Sequence, residues 1–188
     1  MIITALDTET TGLEPGDHRF VEVYVEHFDL ISRSSVDRKL WRINPQRSIQ
    51  PAAQAVHKIS LSDLVGCPRW EDVAKEIHAF LHRGDLLVAH NGEGFDIPFL
   101  NYEFKRVGLS AIARPVFDTM LEGRWATPVG KVPNLGELCW CCEVDYDSSK
   151  AHAADYDVAV MMESFFRGMD WGFFTPPLPA RDDAKEAA

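Results

Sequence analysis

The chain has 188 residues, 46% apolar and 26% charged, which suits one ordinary domain with a real core. Lysine and arginine number 19 against 29 acidic residues, a formal charge of −10, and this excludes a broad basic surface for nucleic acid. No apolar run approaches the ~18 residues of a membrane span, and Met1-Ile2-Ile3-Thr4-Ala5-Leu6-Asp7 lacks the basic head of a secretory signal, so a cytoplasmic protein without a membrane partner is expected.

Residues 2–6 are apolar and β-branched and read as a buried strand. A loop with Gly12, Pro15 and Gly16 follows. Over 20–31, Val21, Val23 and Val25 alternate with Glu22, Tyr24 and Glu26, the pattern of a half-buried strand. Residues 36–43 form a third strand stopped by Asn44-Pro45, completing an antiparallel meander. A short helix over 51–56 comes next, then a helix from Trp70 to His82 with Val73, Ile77, Phe80 and Leu81 on one face. Leu86–Ala89 is a short buried strand, Ile97–Val107 a helix and Pro115–Phe117 a strand. Helices near Asp118–Arg124, over Asn134–Cys142 and over Ala153–Phe166 complete the order. A meander followed by alternating strands and helices predicts an α/β fold, a mixed sheet with helices on both faces. One domain over 1–174 and a flexible tail over 175–188 are expected, the tail holding prolines and then charges.

Asp7 and Glu9 fall at the end of the first strand, and residues two apart point to one face, so Asp7-Thr8-Glu9 sets two carboxylates side by side. Such a pair destabilises a buried strand unless a cation neutralises it, and hard oxygen ligands favour magnesium or manganese. Taken alone, the pair also reads as an acidic turn beside Gly12. Asp96 and Asp157 each open a helix, where a negative charge suits the helix dipole. Asp85 and Asp118 read as turn or cap residues.

Asp7-Thr8-Glu9-Thr10-Thr11-Gly12-Leu13 resembles the first motif of the DEDD, or DnaQ-like, 3′-to-5′ exonuclease superfamily. His90-Asn91-Gly92-Glu93-Gly94-Phe95-Asp96-Ile97-Pro98-Phe99-Leu100 resembles its second motif, and His152 with Asp157 the third in its histidine-bearing DEDDh form. The resemblance implies an RNase H-like fold with a five-stranded mixed sheet. It implies that Asp7, Glu9, Asp96 and Asp157 hold two magnesium ions, with manganese able to substitute, and that His152 is the general base. An imidazole, with an ordinary pKa of ~6.5, suits that role at neutral pH. Four carboxylates against two divalent ions leave a neutral site, which answers the puzzle of an acidic protein with a polyanionic substrate. The expected reaction removes 5′-mononucleotides from single-stranded DNA 3′ ends. The alternatives are 3′-to-5′ attack on RNA ends, or a non-catalytic module that binds nucleic-acid ends or a polymerase. A polymerase or repair partner is implied, and the oligomeric state stays open.

By the same resemblance, Thr10, Thr11, Gly12 and Leu13 lie beside the terminal nucleotide. His57, Asn91 and Phe95 are further substrate contacts, although core is the safer reading of Phe95. The chain departs from the proofreading subunits of DNA polymerase III in three places. Lys58 stands where they often have Gly, Ala52 where they have an acidic group, and the His90-to-Asp96 spacing is one residue longer. That spacing and Pro98 are closer to the stand-alone three-prime repair exonucleases, while Lys131–Leu138 resembles both groups. Without the proline-rich insert of the animal enzymes, a bacterial or phage-type stand-alone nuclease is expected. Cys139, Cys141 and Cys142 lack zinc-site spacing and read as buried free thiols in a reducing compartment. The five tryptophans read mostly as packing. Lys105, Arg106, Arg114, Arg124 and Lys131 read either as a path for the phosphate backbone or as a solvated face.

Overall fold

A computed structural model of the protein describes residues 1–177. Of the expected tail, the stretch 178–188 lies outside the described residues. Five strands form one sheet, β1 (Ile2–Thr10), β2 (Phe20–Asp29), β3 (Ser35–Arg42), β4 (Leu86–Ala89) and β5 (Val116–Asp118), in the order β3-β2-β1-β4-β5. β1, β2 and β3 pair antiparallel as the meander predicts, and β4 and β5 run parallel to β1. The helices are α1 (Pro51–His57), α2 (Trp70–Leu81), α3 (Asp96–Arg106), α4 (Thr119–Glu122), α5 (Leu135–Cys141) and α6 (Ala154–Asp170).

The alternation of β1 divides the core in two. Ile3 and Ala5 face a cluster built with Val158, Met161, Met162 and Phe165 of α6. Leu6 faces the opposite cluster, where α2 supplies Val73, Ile77 and Leu81 and α3 supplies Phe99, Leu100 and Phe104. Each helix presents buried residues at three- and four-residue spacing, the stripe that a sheet face requires. Each fully buried Leu, Phe or Met side chain contributes roughly 1.5–3 kcal/mol. Helix starts are capped locally. Asn134 accepts the Glu137 amide while Glu137 accepts the Asn134 amide, both at 2.8 Å. The Asp118 carboxylate caps α4 through the amides of Met120 and Leu121.

Two expectations need correction. β1 continues to Thr10, beyond the expected 2–6, so Asp7 and Glu9 lie inside the strand rather than at its end. β2 is buried on both faces instead of one. α6 covers the Glu22–Tyr24–Glu26 side, and those polar groups find partners inside: the Tyr24 hydroxyl donates to Glu26 at 2.8 Å, and Glu22 forms an ion pair with Arg42 on β3. Among the described residues, no helix is long and apolar enough to cross a membrane.

Candidate active site

β1 outruns its parallel neighbour. Its pairing with β4 ends at Ala5–Val88, and after Ala89 the chain turns away through His90-Asn91-Gly92. Strand ends that diverge in this way open a crevice at the carboxyl edge of the sheet. Asp7 and Glu9 occupy odd positions of β1, on the face that α6 covers, and Asp157 comes from the first turns of α6. Thr8 points to the other face, toward α3, and its hydroxyl donates to Asp96 Oδ1 at 2.6 Å. Both helix layers thus deliver a carboxylate to one strand end.

Burial and mutual repulsion raise the proton affinity of all four groups. Asp7 is held well above the usual carboxylate range, first by burial and then by the charges of Asp96, Glu9, Asp157 and Glu22. Glu9 is pushed up to about 8 by burial and by Glu22, Asp157 and Asp96. Asp96 is pushed up to about 7 by burial, with its hydrogen bond from Thr8 opposing. Asp157 is raised by burial, opposed by the backbone amide of His152. That amide donates to Asp157 Oδ2 at 2.9 Å, while Oδ1 is buried without a partner.

An orphaned carboxylate oxygen beside three other acids is an environment for a divalent cation. The donor set is all oxygen, which fits a hard ion such as magnesium. Among the described residues, no three acidic, histidine or cysteine side chains converge into a ready-made cage.

A cleft of about 420 Å³ opens in front of Asp7 and Glu9. Thr10, Gly12, Leu13, His57, Asn91 and Phe95, the expected substrate contacts, line it together with His152, the expected general base. Leu13 is 73% exposed, and Phe95 is half-buried against Phe99. Thr11 stands apart. It is fully buried, its hydroxyl meets His18 Nδ1 at 3.0 Å, and it holds the loop rather than lining the cleft. Gly12 is required there, because a Cβ would lie 2.4 Å from the His18 ring. The Thr10 hydroxyl is likewise engaged, donating to the Gly12 carbonyl at 2.7 Å.

His57 ends α1 and is buried. Its Nδ1 accepts the Ile59 amide at 3.0 Å, which places the proton on Nε2, and Nε2 has no partner. Burial lowers its pKa, which favours the neutral ring. Lys58 caps α1 in the left-handed region at φ 62, a position where glycine is unstrained. His152 is exposed and also left-handed, at φ 65.

Three contributors escaped the sequence reading. Glu22 faces Glu9 across the β1–β2 ladder, and Arg42 in turn faces Glu22. An alternating Val/Glu strand hides them, because it looks solvent-facing. Asp118 is more than a cap: it also accepts the amides of Asn91 and Glu93, each at 3.0 Å, and so fixes the loop that leads to Asp96.

The expected basic cluster is dispersed. Arg114 bonds the carbonyls of Gly84 and His82 at the amino end of β4, away from the cleft. Arg106 pairs with Glu103 and Glu71 at the far end of α3. Cys139 and Cys142 are buried free thiols, whereas Cys141 is partly exposed. Trp41 and Trp70 are core and Trp125 packs against Phe173 and Phe174, in line with mostly packing roles, whereas Trp140 and Trp171 are exposed.

The RNase T exonuclease family model matches residues 4–165. The DNA polymerase III epsilon subunit of Treponema pallidum is 31% identical over 167 residues, covering 86% of this chain and 74% of that protein. PolC-type DNA polymerase III of Ureaplasma parvum is 32% identical over 160 residues, and the chain spans only 11% of its length. Among solved structures, the zinc-bound form of the E. coli exonuclease I complex with single-stranded DNA superposes with a TM-score of 0.79 at 17% identity. That match covers 90% of this chain and 40% of the other. Exonuclease X in complex with 5′ overhanging duplex DNA superposes at 0.67 with 25% identity, covering 93% and 95% of the two chains.

Proposed function

The chain belongs to the DnaQ-like 3′-to-5′ exonuclease family, and from that premise we propose that it hydrolyses single-stranded DNA from the 3′ end to 5′-mononucleotides. The observation that carries this reading is the crowding of Asp7, Glu9, Asp96 and Asp157 at one strand end, every one with raised proton affinity, beside the exposed His152. Asp7, Glu9, Asp96 and Asp157 would hold two magnesium ions, and manganese would substitute. When bound, such ions supply a nucleophilic water at neutral pH and offset charge on the leaving oxygen. The zinc in the exonuclease I complex supports a metal requirement.

The protein's own groups position and deprotonate. His152, lining the same cleft as Asp7 and Glu9, takes the proton of the attacking water. Asp157 Oδ2 holds the His152 amide and so sets the loop that carries the ring. Thr10, Gly12 and Leu13 border the terminal nucleotide, with His57 in the cleft wall. DNA is favoured over RNA as substrate because exonuclease I and exonuclease X are solved with DNA. A polymerase partner is carried by the likeness to the epsilon subunit.

The test uses 5′-labelled single-stranded DNA and its RNA counterpart in magnesium, in EDTA, and with Asp7→Ala. A ladder shortening from the 3′ end is expected only with metal and intact Asp7, with the variant down at least roughly 10³-fold, as for essential members of a catalytic set. Faster loss of RNA overturns the DNA assignment. No cleavage in magnesium or manganese overturns catalysis by this chain.

A further inference from the structure

We infer that the groove beneath Trp140 is a second contact for single-stranded nucleic acid, a platform on which a base upstream of the terminal nucleotide stacks. The inference rests on the exonuclease reading above. α5 packs through Leu138, Cys139 and Cys142, so Trp140 is left on its outward side, 82% exposed. A tryptophan this open, with no core to fill, has surface chemistry to offer. Facing it across a groove of about 600 Å³ are Pro128 and Val129. Val129 is wholly exposed and left-handed at φ 58, where a β-branched residue is strained. The loop therefore spends conformational energy to hold an apolar side chain in solvent opposite an exposed indole, and such strain collects at binding sites.

Two further features select a nucleic-acid strand as the occupant. The first is charge. In a chain of −10, Lys131 lines this groove, and Arg124 donates to the Gly130 carbonyl beside it at 3.1 Å. Lys131 also pairs at 2.7 Å with Glu137, which lines the groove as well, but the lysine is 57% exposed, and an exposed pair is weak enough to share its cation with a phosphate. The second is proximity to the acidic cluster. Gly136 lines the groove, and a Cβ on it would lie 2.9 Å from the Tyr146 ring. The Tyr146 ring lies 6.1 Å, centroid to centroid, from that of Tyr156, which precedes Asp157 in the first turn of α6. An aromatic face with cations beside it, near the site of cleavage, is how single strands are held without reading sequence.

The measurement is fluorescence anisotropy of 5′-labelled oligo-dT in EDTA, comparing a dinucleotide with a long probe of about twelve nucleotides. The gain in affinity from short to long probe is expected to shrink roughly tenfold in Trp140→Ala and to return in Trp140→Phe. A long probe with abasic spacers should lose the same gain on the wild-type protein. An unchanged length gain in Trp140→Ala overturns the platform, and so does an abasic probe that binds as tightly as dT. Because Trp140 is exposed, a melting curve matching wild type shows that the variant is folded. Cleavage is not read in this assay, so a failed exonuclease ladder and a failed platform are separate results.

Discussion

Both ends of α3 bury a carboxylate. Near its carboxyl end, Glu103 is 0% exposed, and Arg106 and Arg19 approach it at 3.0 and 3.7 Å. At its amino end Asp96 is 4% exposed, and among the described residues no lysine or arginine reaches it. Its neighbours are other acids, and its hydrogen bond comes from the Thr8 hydroxyl. A buried charge with a built-in counterion stabilises a fold only while the pair is intact. A buried charge facing like charges is held in place by the rest of the structure for something that arrives from outside. Burial alone separates nothing here; the identity of the partner does.

The ion-paired carboxylate and the acidic cluster should respond to substitution differently, as Glu103 and Asp7 of the cluster show. Glu103→Ala leaves two guanidinium groups around an empty space in the core. It should cost about 3 kcal/mol, since removing one member of a buried pair is strongly unfavourable. For a chain of this size that is a fall of about 6–12 °C in melting temperature. The response to added manganese should remain. Asp7→Asn removes one of several repelling charges, so the metal-free protein should melt no lower than wild type, while the gain on adding manganese disappears. Thermal melts of both variants with and without metal check this. If Asp7→Asn is destabilised as much as Glu103→Ala, the acidic cluster is a structural element and the contrast fails.

The pH dependence sharpens the same contrast. Glu9 titrates near 8 and Asp96 near 7 in the folded chain, against ordinary values of 4.5 and 3.8. Between those limits the folded state carries more protons than the unfolded one. Raising the pH from about 4 to about 8 therefore lowers stability, by up to about 1.4 kcal/mol per pH unit for each such group. The decline from Glu9 and Asp96 levels off only about one pH unit above 8, where both are almost fully ionised. Saturating magnesium binds the ionised form, so it should reduce the decline, and the metal-induced rise in melting temperature should grow with pH. A metal-free protein that gains stability over this window would falsify the assigned shifts.

How far the sequence could reach follows from which signals are local. Asp7 and Glu9 share a face by the period of a strand, and that holds even though β1 runs on to Thr10. The meander and the helix faces of α2 and α6 are equally local, carried by two- and four-residue spacing. What Glu22 does is not local. Its strand alternates as a half-exposed strand would, yet β1 and β3 flank it and α6 covers it, so its environment is set by three distant segments. The same holds for Asp118, whose cap role is visible in its position before a helix while its grip on Asn91 and Glu93 depends on β5 lying beside β4. Trp140 fails for the reverse reason. Tryptophan is usually packed, and only the orientation of α5 shows that this one is not.

Asp118 provides the smallest and most selective test. Its Oδ1 accepts the amides of Asn91, Met120 and Leu121 at 3.0, 2.9 and 3.2 Å, and Oδ2 accepts that of Glu93 at 3.0 Å. In Asp118→Asn one oxygen becomes an amide NH2, a donor that cannot accept, so one backbone amide loses its partner. The expected cost is about 1 kcal/mol, or roughly 2–4 °C in melting temperature. The carboxylates themselves are untouched, but the loop that delivers Asp96 is less firmly held. The metal concentration for half-maximal thermal stabilisation should therefore rise, by roughly tenfold, as when a group supporting a ligand is lost. A melting loss with no change in the metal midpoint would make Asp118 a helix cap alone, and the position of Asp96 would then have to be secured by Thr8 and the packing of α3.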